Sequence, residues 1–145
     1  GGPSPQACSN GFLVVGDAAS QTKPTTGGGV IFGMTCARVA AEVACEALNK
    51  RDFSSDFLGA YQRRCKEILG LDVRVMLKIR KMLDSMSDEK LNSAISLCAR
   101  LHLDKTLQNV REIDFQGKSL LSLLRSPRTL AALFHFFLLH LSANP

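Results

Sequence analysis

The sequence predicts a mostly α-helical chain with one short β element, a piece of a larger α/β fold. Three observations carry that expectation. A single short run of continuous apolar residues, Phe12-Leu13-Val14-Val15, ends at Gly16; an irregular Gly-rich loop follows it; and from about Gly29 onward the apolar residues recur at spacings of three and four. One strand makes no sheet, so the remaining strands are expected from elsewhere.

The elements follow in order. Gly1-Gly2-Pro3-Ser4-Pro5 reads as a loop met in mid-protein, and Asn10-Gly11 marks a turn before Phe12–Val15, which reads as a buried strand. Asp17 to Gly29 carries a Pro, three Gly and several Ser and Thr, and is expected to be a loop. From Gly29 to Asn49 a helix is predicted, with Val30, Met34, Ala37, Ala41, Ala44 and Leu48 as its apolar face and Arg38, Glu42, Glu46 and Lys50 as its charged stripe. Ser54 or Ser55 is placed to cap a second helix bearing Phe57, Leu58, Tyr61, Cys65 and Ile68, which Gly70 is expected to end. Leu71 to Met86 forms another helix, and Ser87 caps one bearing Leu91, Ala94, Ile95, Cys98 and Leu101. A short helix is predicted over Lys118 to Leu124. Ser126-Pro127 then restarts the chain into a last helix that is almost wholly apolar from Leu130 to Leu141. The composition changes near Arg51-Asp52, which divides residues 1–51 from an all-helical region, 52–145.

Composition removes several function classes. With 145 residues, 46% hydrophobic and 21% charged, the chain is globular rather than disordered. Its net charge of +5 is dispersed among acidic residues, and with no Trp and one Tyr it lacks the stacking platform of a single-strand binder, so no nucleic-acid partner is expected. Cys8, Cys36, Cys45, Cys65 and Cys98 are odd in number and contain no Cys-x-x-Cys, which points to buried thiols in a reducing cytoplasm rather than to zinc or redox pairs. His102, His135 and His140 lack ligand spacing, and no metal site is expected. The last helix is too short to cross a bilayer at about 20 residues, and reads as buried or interfacial, with a tunnel for an apolar chain or a membrane surface as the alternatives to ordinary packing for Phe134, Phe136 and Phe137.

The chemistry concentrates in Gly16-Asp17-Ala18-Ala19 and Lys23-Pro24-Thr25-Thr26-Gly27-Gly28-Gly29-Val30. Small residues admit a ligand close to the backbone, and Asp17 just past the strand is an acceptor for sugar or polyol hydroxyls. Gly27, Gly28 and Gly29 offer N–H groups at a helix start, where the dipole favours an anion or an electron-rich ring. Pro24 stiffens the approach, and Lys23 is either a counter-charge for an anionic cofactor or phosphate or a solvent-facing loop residue. No Gly-Lys-Ser or Gly-Lys-Thr follows, and Gly27-x-Gly29-x-x-x-Gly33 misses the dinucleotide fingerprint by one residue. Cys36 lies near the start of the long helix, and a buried thiol is the commoner reading for it.

Asn10-Gly11-Phe12-Leu13-Val14-Val15 followed by Gly16 through Val30 resembles the geranylgeranyl reductase family, flavoproteins of the para-hydroxybenzoate hydroxylase-like group. The resemblance is most specific over Asn10 to Leu48 and thins past about Leu101. It implies the carboxy-terminal part of an FAD-binding domain over 1–51, with Asp17 against the ribityl chain and Pro24 to Gly29 lining the flavin. It implies reduction of isoprenoid carbon–carbon double bonds in lipid biosynthesis, with NAD(P)H or ferredoxin as electron donor and a prenylated lipid as substrate. Asn10 stands where the family carries Asp, and the family's amino-terminal Gly-x-Gly-x-x-Gly half is not in these residues. Location in the cytoplasm, peripheral to the membrane, is the corresponding expectation. A flavin monooxygenase or halogenase shares the Gly-Asp-Ala-Ala loop and is the alternative enzyme; a helical interaction module with a degenerate flavin loop is the alternative of another class.

Overall fold

A computed structural model describes residues 6–102 and 127–141. It is mostly helical with one small sheet, as the sequence predicts. Strands β1 (Cys8–Ser9) and β2 (Phe12–Leu13) pair antiparallel, Cys8 opposite Leu13 and Ser9 opposite Phe12. Helices α1 (Val30–Lys50), α2 (Ser55–Asp84), α3 (Asp88–Arg100) and α4 (Pro127–Leu141) follow. The chain divides into two compact units, Gly1–Leu77 and Lys78–Pro145.

The β element differs from the expectation of a single buried strand. The two residues of β2 find their partner nearby, across the Asn10-Gly11 turn, where Gly11 takes a φ of +67° that glycine adopts without strain. Phe12 lies exposed, because a two-stranded ribbon covers only one face. The hairpin is tied down at its tip. Gly11 N donates to Phe53 O (2.8 Å), and Asn10 Oδ1 accepts from Ser55 N (2.7 Å) at the start of α2. An acceptor is needed at position 10, and an amide oxygen serves as well as a carboxylate. Ser54 caps the same helix by accepting from Phe57 N (3.3 Å).

Helix α1 is correctly placed by its periodicity, but its buried face is not the predicted one. Phe32, Cys36, Val39, Ala40, Val43 and Ala47 face inward, whereas Val30 is 75% exposed, Met34 66% and Leu48 64%. The helix is apolar on two sides, so spacing alone fits either face, and the larger Phe32 and β-branched Val39 and Val43 take the interior. Leu58, Tyr61, Cys65 and Leu69 of α2 are buried as well, and Cys65 lies within hydrogen-bonding reach of Cys36. Arg64 binds Glu46 through both carboxylate oxygens (2.8 and 3.0 Å), which links α2 to α1 and holds the Glu46 carboxyl below its usual range. As an exposed pair it sets register more than stability.

Gly70 does not end a helix. α2 runs through it for 30 residues, replacing the two helices predicted on either side. A glycine in a helix interior costs about 1 kcal/mol relative to alanine, and burial of Leu69 and Met76 on either side offsets that cost.

In the second unit Ser87 caps α3 as predicted, its hydroxyl accepting from Lys90 N. α4 starts at Pro127, also as predicted. α3 and α4 pack together, and Ala94 and Ala132 are buried in this unit. The helix expected at Lys118 to Leu124 lies outside the described residues.

Gly70→Ala tests the continuity of α2. A Cβ there meets only Lys66 Cγ at 3.5 Å, an ordinary contact. The substitution is expected to raise stability by about 0.5–1 kcal/mol in urea unfolding; a loss of stability would instead mark a helix terminus at Gly70.

Candidate functional site

The loop after β2 is built from a short turn, a buried relay and a helix start. Gly16–Ala19 forms a single 3-10 turn rather than the irregular loop expected, closed by Ser20 in the left-handed region. Gly16 itself has φ +78°, so the backbone reverses there at a residue without a side chain. The turn is locked from within. Gly16 N donates to Gln21 Oε1 (2.7 Å), Gln21 Nε2 donates to the Tyr61 hydroxyl (2.6 Å), and that hydroxyl donates to Val14 O (2.8 Å). Every polar atom of this relay has a partner, as buried groups require.

Residues 23–28 close a second turn: Lys23 N donates to Gly28 O and Gly27 N donates to Lys23 O, both at 2.9 Å. The Gly27 N–H is therefore used inside the loop and is not a ligand donor. Gly29 caps α1 without help from any side chain. That helix end keeps its positive dipole pole and its outward-facing N–H groups. Asp17 stands beside it. A Cβ on Gly29 would lie 2.7 Å from Asp17 Oδ1, 3.0 Å from Thr22 Cγ2 and 3.3 Å from Gln21 O, so the approach of the carboxylate depends on glycine at position 29. One turn further, Gly33 brings α1 within 3.5 Å of the Gly16 Cα, measured from where its Cβ would be.

These approaches leave an open cleft of about 410 Å³ between the end of the β element and the start of α1. Gly16, Asp17, Gly29 and Val30 of the predicted motif line it, together with Val15, Gly33, Met34 and Ala37. The other motif residues are placed differently. Ala19 is fully buried, Ala18, Thr26, Gly27 and Gly28 are exposed, and Pro24 and Thr25 are half-buried outside the cleft lining. Lys23 is only 8% exposed, which excludes the reading of a solvent-facing loop lysine.

The sequence motif did not include Gln21, Tyr61, Gly33 or Met34 among the site residues. Gln21 sits inside the quoted stretch, and its signal is a polar side chain in a loop otherwise made of small residues. Tyr61 is 40 positions away and is the only tyrosine of the chain. Burial pushes its hydroxyl up to about 12, the Gln21 hydrogen bond opposing that shift. Cys36 is buried beneath the loop near Cys65 of α2, and the Cys65 thiol and burial together hold its own thiol well above the ordinary range. It is a packing residue and not a thiolate. His102 and His135 belong to the second unit, and the His140 side chain lies outside the described residues.

Comparison with known proteins finds relatives named digeranylgeranylglycerophospholipid reductase. The chain is 37% identical over 124 residues, 86% of its length, to digeranylgeranylglycerophospholipid reductase 2 of Methanothermobacter thermautotrophicus, of which it covers 29%. It is 44% identical over 92 residues, 63% of its length, to the proteins named digeranylgeranylglycerophospholipid reductase 2 in Methanopyrus kandleri and digeranylgeranylglycerophospholipid reductase in Methanocaldococcus jannaschii, covering 23% and 24% of them. The chain thus spans between 23% and 29% of the length of these relatives. No protein-family model and no solved structure matches it.

Two outcomes test this geometry. Gly29→Ala is expected to cost about 1–3 kcal/mol, and Asp17→Ala in the same chain to restore part of that loss, because the nearest obstructing atom is removed; strictly additive effects in the double-mutant cycle would contradict the contact. Because Tyr61 is the only tyrosine, ultraviolet titration reads it alone, with an expected midpoint of about 12 against about 10 for a free phenol. Its contribution to stability is complete below pH ~10 and is lost as the pH rises towards the folded value.

Proposed function

The chain is homologous to a segment of the geranylgeranyl reductases, and on that premise we propose that it is the flavin-side portion of an FAD-dependent oxidoreductase that reduces isoprenoid double bonds. The observation that carries this reading is the juxtaposition of Asp17, an uncapped helix start and a wall of glycines around one cleft. Residues 1–51 are then the end of the FAD-binding domain, and 52–145 its carboxy-terminal helical region.

The residues present fit a flavin. Gly16, Gly29 and Gly33 line the cleft with backbone and no side chain, so a flat ring can approach closely. Asp17 Oδ1 beside the helix end is an acceptor for a polyol hydroxyl, and its negative charge disfavours a phosphate at the same point. The start of α1 offers N–H groups and a positive dipole end to an electron-rich edge. Val15, Val30, Met34 and Ala37 supply an apolar floor on which a ring can pack. When bound, FAD supplies the hydride chemistry, and the protein orients and tunes it. The buried relay through Gln21 and Tyr61 keeps the cleft in one shape, with the Tyr61 hydroxyl committed to both Gln21 and Val14. Lys23, Pro24, Thr25, Thr26, Gly27 and Gly28 form the adjoining turn, closed by its own backbone hydrogen bonds, and would hold the approach to the start of α1 in place beside the cleft.

The names of the relatives supply the substrate class, a glycerophospholipid carrying two geranylgeranyl chains. NAD(P)H or ferredoxin is the electron donor of this proposal, and the remaining FAD-binding half, with the adenosine site, lies in sequence that these 145 residues do not include. Such a substrate resides in a bilayer, so the enzyme works in the cytoplasm at the membrane periphery. No described helix is long and apolar enough to cross a membrane.

Asp17→Ala in the complete protein is expected to lower the flavin retained per protein, read by visible absorbance after gel filtration, at least tenfold, a loss of about 1.4 kcal/mol or more in affinity. Retention of the full flavin complement and unchanged activity would overturn the assignment.

A further inference from the structure

The second unit carries an exposed apolar stripe that the flavin site does not use. On α4, Leu130, Phe134, Phe137 and Leu138 are all about half or more exposed, at spacings that place them on one face. Ala132, on the other face, is buried and belongs to the packing of α4 with α3. Two exposed phenylalanines and two exposed leucines on a single helix exceed the scattered apolar residues of an ordinary surface. The charge of the chain is also uneven. Ten Lys and Arg against six Asp and Glu give residues 78–145 a formal +4 of the total +5.

We propose that the Leu130, Phe134, Phe137, Leu138 face of α4 docks on an anionic phospholipid membrane, lying in its surface. The 15 residues of α4 extend about 22 Å, short of the ~30 Å hydrocarbon core, so the helix lies along the interface and does not span it. An apolar face of this kind enters about 5–10 Å into the boundary between headgroups and chains. The formal +4 of residues 78–145 adds a general attraction to a negative headgroup layer, which salt screens. The identity of the occupant rests on the proposed lipid substrate: chains buried in a bilayer are reached only by an enzyme that touches it.

The test uses two readouts that do not depend on flavin. The chain contains no Trp, so Phe137→Trp introduces a single indole. With vesicles of phosphatidylglycerol and phosphatidylcholine its emission is expected to shift to the blue and to be quenched by brominated phospholipid. In the complete protein, Phe134→Ser with Phe137→Ser is expected to reduce co-sedimentation with the same vesicles about tenfold or more, while flavin content and the far-ultraviolet circular dichroism stay unchanged. An unquenched indole overturns the proposal. So does equal sedimentation of variant and parent, or failure of the complete protein to sediment at all, which identifies the face as an internal protein contact. Vesicle binding without any flavin in the complete protein would refute the flavin reading and leave the membrane surface standing.

Discussion

The buried hydroxyl of Tyr61 is the point at which the site is joined to the fold. It accepts from Gln21, whose other amide atom holds Gly16, and it donates to Val14 at the end of the β element. Both ends of the turn that presents Asp17 are thereby fixed to α2. Removing the hydroxyl would leave a buried amide donor and a carbonyl without partners, at about 1–3 kcal/mol each. The aromatic ring meanwhile belongs to the core, fully buried as Phe32 and Val43 are. One side chain thus serves both the core and the loop, and the loop keeps its shape because the core cannot relax around it.

Around that anchor the cleft is defined by atoms that are missing. Gly29 admits the Asp17 carboxylate to the end of α1, and Gly33 lies against Gly16 one turn further along. The helix start is left without a side-chain cap, which is unfavourable for the helix alone and useful for a ligand with an electron-rich edge. Asp17 compensates part of the exposed dipole. Stability and function meet in the same residue, and the loop is spared the large side chains that would close it.

Much of this was legible in the residues. The Gly16 to Val30 stretch located four of the cleft-lining residues, Ser87 and Pro127 located helix starts, and the periodicity after Gly29 located α1. The missed features share physical causes. The inward face of α1 was misassigned because both of its sides are apolar, and only tertiary packing chooses between them. Gly70 resembles a stop signal, yet burial on either side carries the helix through it. The hairpin was read as one buried strand because its partner, Cys8–Ser9, is two residues long and carries no pattern. The link between Gln21 and Tyr61 joins residues 40 apart, and no local rule couples them.

The central claim is that the cleft between Asp17 and the start of α1 receives the flavin. Hydrogen exchange of the complete protein with and without FAD tests it most directly. Binding is expected to slow exchange at the amides of Gly16, Asp17 and the Gly29 to Gly33 helix start, and to leave α3 unchanged. Equal exchange across that cleft with and without FAD, or protection confined to α3, would contradict it.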